Sequence, residues 1–242
     1  MKVTLRDYQQ AAFDKARDAV RNGARRILIC APTGGGKTVL ASALMEMVKE
    51  KGNRASFVVD RLSLIQQTSD TFDRYGLDHG VIQGGHERWR PALPLQICSV
   101  QTLGRRRWPD TSVDVFDEAH VLHTTHKKRM EEKASIVIGL TATPFTKGLK
   151  DLYSNIVNVA TTDELTDAGY LVPMKVYAAK AIDMAGAKVV AGEWSDKEVE
   201  TRGLQIVGDI VAEWIDKTNL HFGGPVKTIV FSATVEHGAE LC

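Results

Sequence analysis

Apolar residues in this chain gather into short continuous runs, and the stretches between them carry apolar positions at helical spacing. The runs cover residues 27–30, 55–60, 79–83, 95–99, 113–117 and 136–141, and they are near-continuous rather than alternating. Residues 39–49 and 61–75 read as helices, and 100–107 follows the fourth run. Continuous runs separated by helices predict an α/β fold, a parallel sheet covered on both faces. Ligands on such sheets bind outside the carboxyl ends of the strands. Those ends carry the stretch from Ala31 to Thr38, then Asp60-Arg61, Ser99-Val100-Gln101-Thr102, Asp117-Glu118 and Thr141-Ala142-Thr143, all expected along one edge. Ahead of the first run, Ala11, Ala12, Ala16, Ala19 and Val20 recur at helical spacing, and Asn22-Gly23 ends that helix. Taken alone, Leu5-Arg6-Asp7-Tyr8-Gln9-Gln10 reads as its start, with Asp7 as the cap.

Beyond Pro144 the pattern loosens. Thr161-Thr162-Asp163-Glu164 offers a capping box for a short helix ending near Gly169, and residues 170–173 lead into an expected strand over 174–181. Residues 181–194 are the expected linker. Ser195-Asp196-Lys197-Glu198 is a second capping box, before a helix with Val207, Ile210, Val211, Trp214 and Ile215 on one face. Gly223-Gly224-Pro225 precedes an expected strand over 228–231 and the start of a helix. The resulting division is a first domain over 1–180, a linker, and an incomplete second domain from 195 to 242.

Composition narrows the class. A chain that is 43% hydrophobic and 25% charged is ordinary globular material. Its net charge of +1 excludes a global basic field, so any nucleic-acid surface has to be a local patch. Cys30, Cys98 and Cys242 form no C-x-x-C, and the first two sit in apolar runs as small core residues of a reducing compartment. Lys2 to Arg26 is charged and helical, unlike a secretory signal, and no run approaches the ~20 apolar residues of a membrane span. The expected setting is cytoplasmic, with no membrane partner.

The chemistry concentrates in two segments. Ala31-Pro32-Thr33-Gly34-Gly35-Gly36-Lys37-Thr38 stands between an apolar strand and a helix, the context of a phosphate-binding loop. Its glycines let backbone N–H groups converge on phosphate oxygens, and the following helix aims its positive end at the same anion. Lys37 is expected to reach the β- and γ-phosphates, and the Thr38 hydroxyl to ligate Mg²⁺. Ala31 stands where the strict pattern has its first glycine. The second segment, Val115-Phe116-Asp117-Glu118-Ala119-His120, ends an apolar strand in two carboxylates. Asp117 suits Mg²⁺, and Glu118 suits orienting and deprotonating a water.

Together these segments resemble the superfamily 2 helicases and translocases. Ala31 to Thr38 matches that family's motif I, in which alanine at the first position is usual. Asp117-Glu118-Ala119-His120 matches motif II in its DEAH form, and Thr141-Ala142-Thr143-Pro144 matches motif III. Val59-Asp60-Arg61-Leu62 and Ser99-Val100-Gln101-Thr102-Leu103 look like motifs Ia and Ib. Leu5 to Gln9 looks like the Q motif of the branch related to restriction-enzyme motor subunits, and residues 228–241 look like motif IV. Among these families the chain looks most similar to the RadD-like DNA-repair ATPases. The resemblance implies a RecA-like first domain and the start of a second.

It also implies roles for particular residues. Gln9 and Arg6 would read adenine, and Thr33, Gly34, Gly35, Gly36, Lys37 and Thr38 would hold ATP. Asp117 and Glu118 would serve metal and water, with His120, Thr141 and Thr143 coupling nucleotide state to the nucleic-acid edge. Arg61, Gln101 and Thr102 would touch a nucleic-acid backbone, DNA rather than RNA. Motifs V and VI, with their arginine finger, have no counterpart. The expectation is a chain that binds Mg-ATP and turns it over poorly unless a partner supplies the second motor domain. Two rivals stand beside it: a P-loop ATPase or kinase without nucleic acid, and a non-catalytic binding module. His120, His123 and His126 lack the spacing and companions of a zinc site. Arg105-Arg106-Arg107-Trp108 reads equally as a nucleic-acid patch with a stacking aromatic or as a solvated helix end. Lys127-Lys128-Arg129 reads as an exposed helix face.

Overall fold

The computed structural model describes residues 3–132, 135–177, 183–190, 193–195, 199, 201–202, 207–232 and 234–240. They divide into two compact units, Met1–Pro173 and Met174–Cys242.

In the first unit, helix α1 (Asp7–Arg21) leads into strand β1 (Arg26–Cys30), followed by α2 (Lys37–Glu50), β2 (Ala55–Val59), α3 (Leu62–Arg74), β3 (Gly80–Ile82) and β4 (Leu95–Ser99). Then come α4 (Val100–Leu103), β5 (Val113–Phe116), α5 (Thr124–Glu131), β6 (Ile136–Thr141), α6 (Leu149–Leu152), β7 (Asn155–Asn158) and α7 (Thr162–Asp167). Seven strands pair in the order β3-β4-β2-β5-β6-β1-β7, every neighbouring pair parallel. The strands read as continuous apolar runs because helices cover both faces. In β1, Ile27 and Ile29 pack with α1 and α2, while Leu28 and Cys30 pack on the opposite side with Val100, Leu103 and Met130. Cys30 and Cys98 are buried free thiols, as their apolar runs suggest.

Register decides what the strand ends bring together. Cys30 pairs with Thr141, Phe116 with Gly139, Val58 with Phe116, and Val59 with Ser99. Every segment after these residues therefore leaves the sheet at the same edge. Strand β7 was not legible in the sequence: it is a four-residue outer strand beside β1, and its Ile156 is 56% exposed. Helix α1 starts at Asp7, so its cap is Arg6 rather than the expected Asp7. The Gln9 side chain accepts from the Arg6 backbone N–H at 3.0 Å.

Among its described residues the second unit holds a short antiparallel pair, β8 (Val189–Val190) with β9 (Glu193–Trp194), helical residues at 199 and 201–202, and the helices α8 (Val207–Phe222) and α9 (Val235–Glu240). Two expected strands need correction. Residues 174–177 are not in a strand, and the rest of that expectation, 178–181, lies outside the described residues. Residues 228–231 are not in a strand either, with Ile229 83% and Phe231 93% exposed. The apolar pattern there is real, but an extended segment becomes a strand only beside a partner, and among the described residues none lies next to it. The second capping box, Ser195-Asp196-Lys197-Glu198, lies outside the described residues except at Ser195. Among the described residues no helix is long and apolar enough to cross a membrane.

Candidate active site

The loop between β1 and α2 is shaped for an anion. Gly36 caps α2 in the left-handed region (φ 82°, ψ 37°), and no side chain caps the helix. The first-turn N–H groups thus have neither an intrahelical partner nor a capping oxygen. The Gly35 N–H closes the turn onto the Pro32 carbonyl at 2.9 Å. A Cβ on Gly36 would lie 2.2 Å from Gln9 Nε2, so any larger residue there has to displace that amide as well as keep a left-handed backbone. Orphaned N–H groups, the positive end of α2, and half-buried Lys37 and Thr38 form a cradle that fits a polyphosphate.

The carboxylates stand at the end of β5. The Asp117 N–H donates to the Val58 carbonyl at 2.9 Å, and the Ala119 N–H to the Leu140 carbonyl at 2.8 Å, so the turn is tied to both neighbouring strands. Between these anchors Glu118 takes φ 45°, the one positive φ outside glycine among the described residues. A left-handed glutamate costs on the order of 1–3 kcal/mol, and such strain gathers at functional positions. Burial raises the Asp117 pKa, and the neighbouring Glu118 charge adds to it; the Glu118 backbone N–H, Lys37 and His120 pull it partly back. A partly buried carboxylate whose charge is under-compensated, within electrostatic reach of Lys37, fits a hard divalent cation of the Mg²⁺ type.

Beyond the carboxylates, His120 Nδ1 lies 3.3 Å from Glu118 Oε2 and 3.1 Å from the Thr141 hydroxyl, and the Thr143 N–H donates to that hydroxyl at 3.0 Å. His120, Thr141 and Thr143 are therefore hydrogen-bonded in series, and the Glu118 carboxylate stands beside His120 in a contact that is ionic only when the imidazole is protonated. His123 turns elsewhere: its Nε2 lies 3.0 Å from Asp60 Oδ1, outside hydrogen-bond geometry, so the contact is ionic only when the imidazole is protonated. His126 stacks on Phe116 at 4.1 Å. Its ring also meets that of His123 edge-on at 5.1 Å, while His120 faces Thr141.

Gln9 is buried. Its Nε2 donates to the Gly35 carbonyl at 3.2 Å while its Oε1 accepts from Arg6, so it ties α1 to the phosphate loop. Each amide atom keeps one hydrogen-bonding position open. The Arg6 guanidinium lies over the Tyr170 ring, 4.6 Å from its centroid.

Of the three nucleic-acid candidates, Arg61 is exposed at the start of α3 and lines a cleft with Asp60, Ser63, Asp117, Glu118 and His120. Gln101 donates to the Asp60 carbonyl at 2.6 Å and accepts from the Ser99 hydroxyl at 2.7 Å; Thr102 accepts from the Gly84 N–H at 3.3 Å. These two bind neighbouring loops of the edge.

Two other features differ from expectation. Lys127 and Lys128 are exposed, but Arg129 is buried, its Nε 2.8 Å from Asp114 Oδ2. The Trp108 indole N–H donates to the same Asp114 at 3.3 Å, so its ring packs inward rather than offering a stacking face. Alternation along β5 placed Asp114 among apolar residues, and that misfit was the available signal for a buried ionic network. Sequence reasoning also missed Tyr8, Tyr170 and Leu171 around the loop; no local pattern distinguishes them from ordinary surface residues.

Fold and site together define a P-loop domain of the superfamily 2 motor type, with a RecA-like parallel sheet. Residues 2–146 match the family model described as Type III restriction enzyme, res subunit, and the chain belongs to that family. A 51.5 kDa protein of Lactococcus phage (isolate 7-9) is 27% identical over 86% of this chain and 44% of its own length. The Type I restriction enzyme EcoAI endonuclease subunit of Escherichia coli is 24% identical over 98% of this chain and 33% of its own length. The chain thus spans less than half the length of these two relatives. Among solved structures, the UvsW helicase from bacteriophage T4 shares the fold with a TM-score of 0.55 and 17% identity, covering 63% of this chain and 59% of that one.

Proposed function

We propose that this chain carries the ATP-binding half of a DNA motor and that ATP hydrolysis there drives translocation on, or remodelling of, DNA. The observation that carries the reading is the register of β1, β2, β5 and β6. It brings the loop 31–38, Asp117-Glu118 and the His120–Thr141–Thr143 chain to one edge. Helicases of this superfamily use ATP with Mg²⁺, which supplies charge neutralisation at the phosphates. The loop N–H groups and Lys37 hold phosphate oxygens. Thr38 and Asp117 present the oxygen ligands for the cation. Glu118 orients a water and takes its proton. His120 links Glu118 to Thr141, so a change at the carboxylate reaches the segment leading to Thr143. We assign Asp117 to His120 as a DEAH-type motif II.

DNA is the favoured polymer because the family and the Escherichia coli relative are named as restriction enzymes. Arg61 is the residue we assign to the backbone, where contacts position a strand without reading its sequence. Buried free Cys30 and Cys98 suit a reducing, cytoplasmic setting.

The test is steady-state ATP hydrolysis by the chain with and without duplex and single-stranded DNA, beside Glu118→Gln. ATP binding is expected, with weak turnover that DNA raises and that Glu118→Gln abolishes while binding persists. Turnover unaffected by Glu118→Gln refutes the assignment of the base, and turnover indifferent to DNA refutes the motor.

A further inference from the structure

Beside the phosphate loop lies a cluster that the catalytic reading leaves unused. Helix α7 is short but closed at both ends. Thr161 and Glu164 form a reciprocal capping box at its start. At its end Gly169 takes φ 74°, and the Tyr170 and Leu171 N–H groups both donate to the Leu165 carbonyl, at 2.8 and 3.0 Å. Leu165 is buried, so the turn is anchored in the unit. This geometry delivers Tyr170 and Leu171 to the loop in fixed positions. Leu171 Cδ2 stands 2.8 Å from where a Gly34 Cβ would be. The Tyr170 ring is 42% exposed and lies 5.1 Å from the Tyr8 ring, whose hydroxyl is 3.4 Å from the Gly35 carbonyl. The Arg6 guanidinium covers the Tyr170 ring at 4.6 Å, and Arg6 Nη1 lies 3.4 Å from the Tyr8 hydroxyl.

Resting on the nucleotide reading above, we propose that Tyr170, held by the α7 C-terminal turn, is the stacking platform for the base of the bound nucleotide, with the Arg6 guanidinium closing over it. A base is a flat, polarisable surface, and an exposed phenol ring beside a planar cation matches it on both sides. Inserting a base needs each stacking distance to be about 3.5–4 Å, so Arg6 must lift away from Tyr170. Arg6 is an exposed, unbranched side chain, so the movement is a rotamer change. The backbone that carries the ring has no such freedom, because the Tyr170 and Leu171 N–H groups are both held by the Leu165 carbonyl. The site is thus preorganised on the Tyr170 side and adjustable on the Arg6 side. Tyr170 lies outside the residues matched by the family model.

The experiment is calorimetric titration of the full chain with Mg-ATP and with magnesium tripolyphosphate, which has the phosphates but no base. Wild type, Tyr170→Ala and Tyr170→Phe are compared. Stacking on an aromatic platform predicts that Tyr170→Ala weakens ATP about tenfold, that Tyr170→Phe restores it, and that neither variant changes tripolyphosphate affinity. Equal weakening of both ligands by Tyr170→Ala overturns the inference, because Tyr170 would then only prop the loop. Unchanged ATP affinity in Tyr170→Ala also overturns it. Wild type that binds tripolyphosphate as tightly as ATP overturns the base platform alone. Wild type that binds neither overturns the nucleotide reading and the inference with it.

Discussion

Replacing Gly36 by alanine tests the loop geometry quantitatively. The new residue must keep a left-handed backbone, which costs an L-residue about 1–2 kcal/mol. Its Cβ would lie 2.2 Å from Gln9 Nε2, so the buried amide must shift. The shift gives up the bond to the Gly35 carbonyl and disturbs the one from the Arg6 N–H. Each such bond is worth roughly 0.5–1.5 kcal/mol net. Loss of glycine's freedom in the unfolded chain returns about 0.4–1 kcal/mol. The balance is a destabilisation of about 2 kcal/mol, or roughly 4–8 °C in melting temperature for a chain of this size. Gly52 provides the control: its φ is 72°, but nothing lies within 4 Å of its Cβ position. Gly52→Ala should cost about 1 kcal/mol or less, the backbone cost alone. Urea unfolding of both variants, with Gly36→Ala repeated in a Gln9→Ala background, reads the difference. In that background the cost of Gly36→Ala should fall to that of Gly52→Ala. Gly36→Ala no more harmful than Gly52→Ala in the wild-type background would refute the close approach of Gln9 to the loop.

Three further outcomes follow from buried charge. Arg129→Met leaves Asp114 without its guanidinium, and breaking a buried pair costs roughly 3–5 kcal/mol. Asp114 keeps the hydroxyls of Ser56, Thr111 and Ser135 and the Trp108 N–H, so about 3 kcal/mol, at the low end of that range, is expected in urea unfolding. A loss below about 1 kcal/mol would mean the neutral donors suffice. His126 has its pKa lowered to about 3, chiefly by burial and then by His123, whereas an unfolded histidine titrates near 6.5. Between those values unfolding takes up a proton, so stability falls as pH drops, by up to about 1.4 kcal/mol per pH unit from this residue. His126→Gln should flatten that slope between pH 6 and 4, and an unchanged slope would assign it to other groups. Asp117 has a raised pKa, so the native state holds its proton longer, and stability from this group falls as pH rises through the window above the ordinary carboxylate value. Asp117→Asn should therefore raise the melting temperature of the nucleotide-free chain while removing the Mg²⁺ dependence of ATP affinity. A lower melting temperature would contradict the buried, under-compensated charge.

The sheet was legible because its strands are buried on both faces and so read as continuous apolar runs. The edge of the site followed from it, since parallel register carries every strand's carboxyl end to the same side. Helix α7 was legible from its capping box and Gly169. What escaped the sequence was tertiary. Strand β7 is half exposed and carries polar residues at both ends, so its pairing with β1 depends on a neighbour rather than on its own pattern. Arg129 looked like surface because its partner Asp114 stands fifteen positions earlier, on another element. Residues 228–231 carry a strand pattern with no strand beside them among the described residues. Gln9 was singled out for its side-chain chemistry, yet its contact with the loop depends on how α1 packs against α2. Tyr170 became visible only once the turn after α7 returned to the loop.

The most direct measurement is calorimetric binding of Mg-ATP to the 242-residue chain beside Lys37→Ala. A single saturable site is expected in the wild type and no measurable binding in Lys37→Ala, with both proteins showing the same thermal unfolding. Equal affinity in the two proteins would contradict the phosphate loop on which the rest of the site is built.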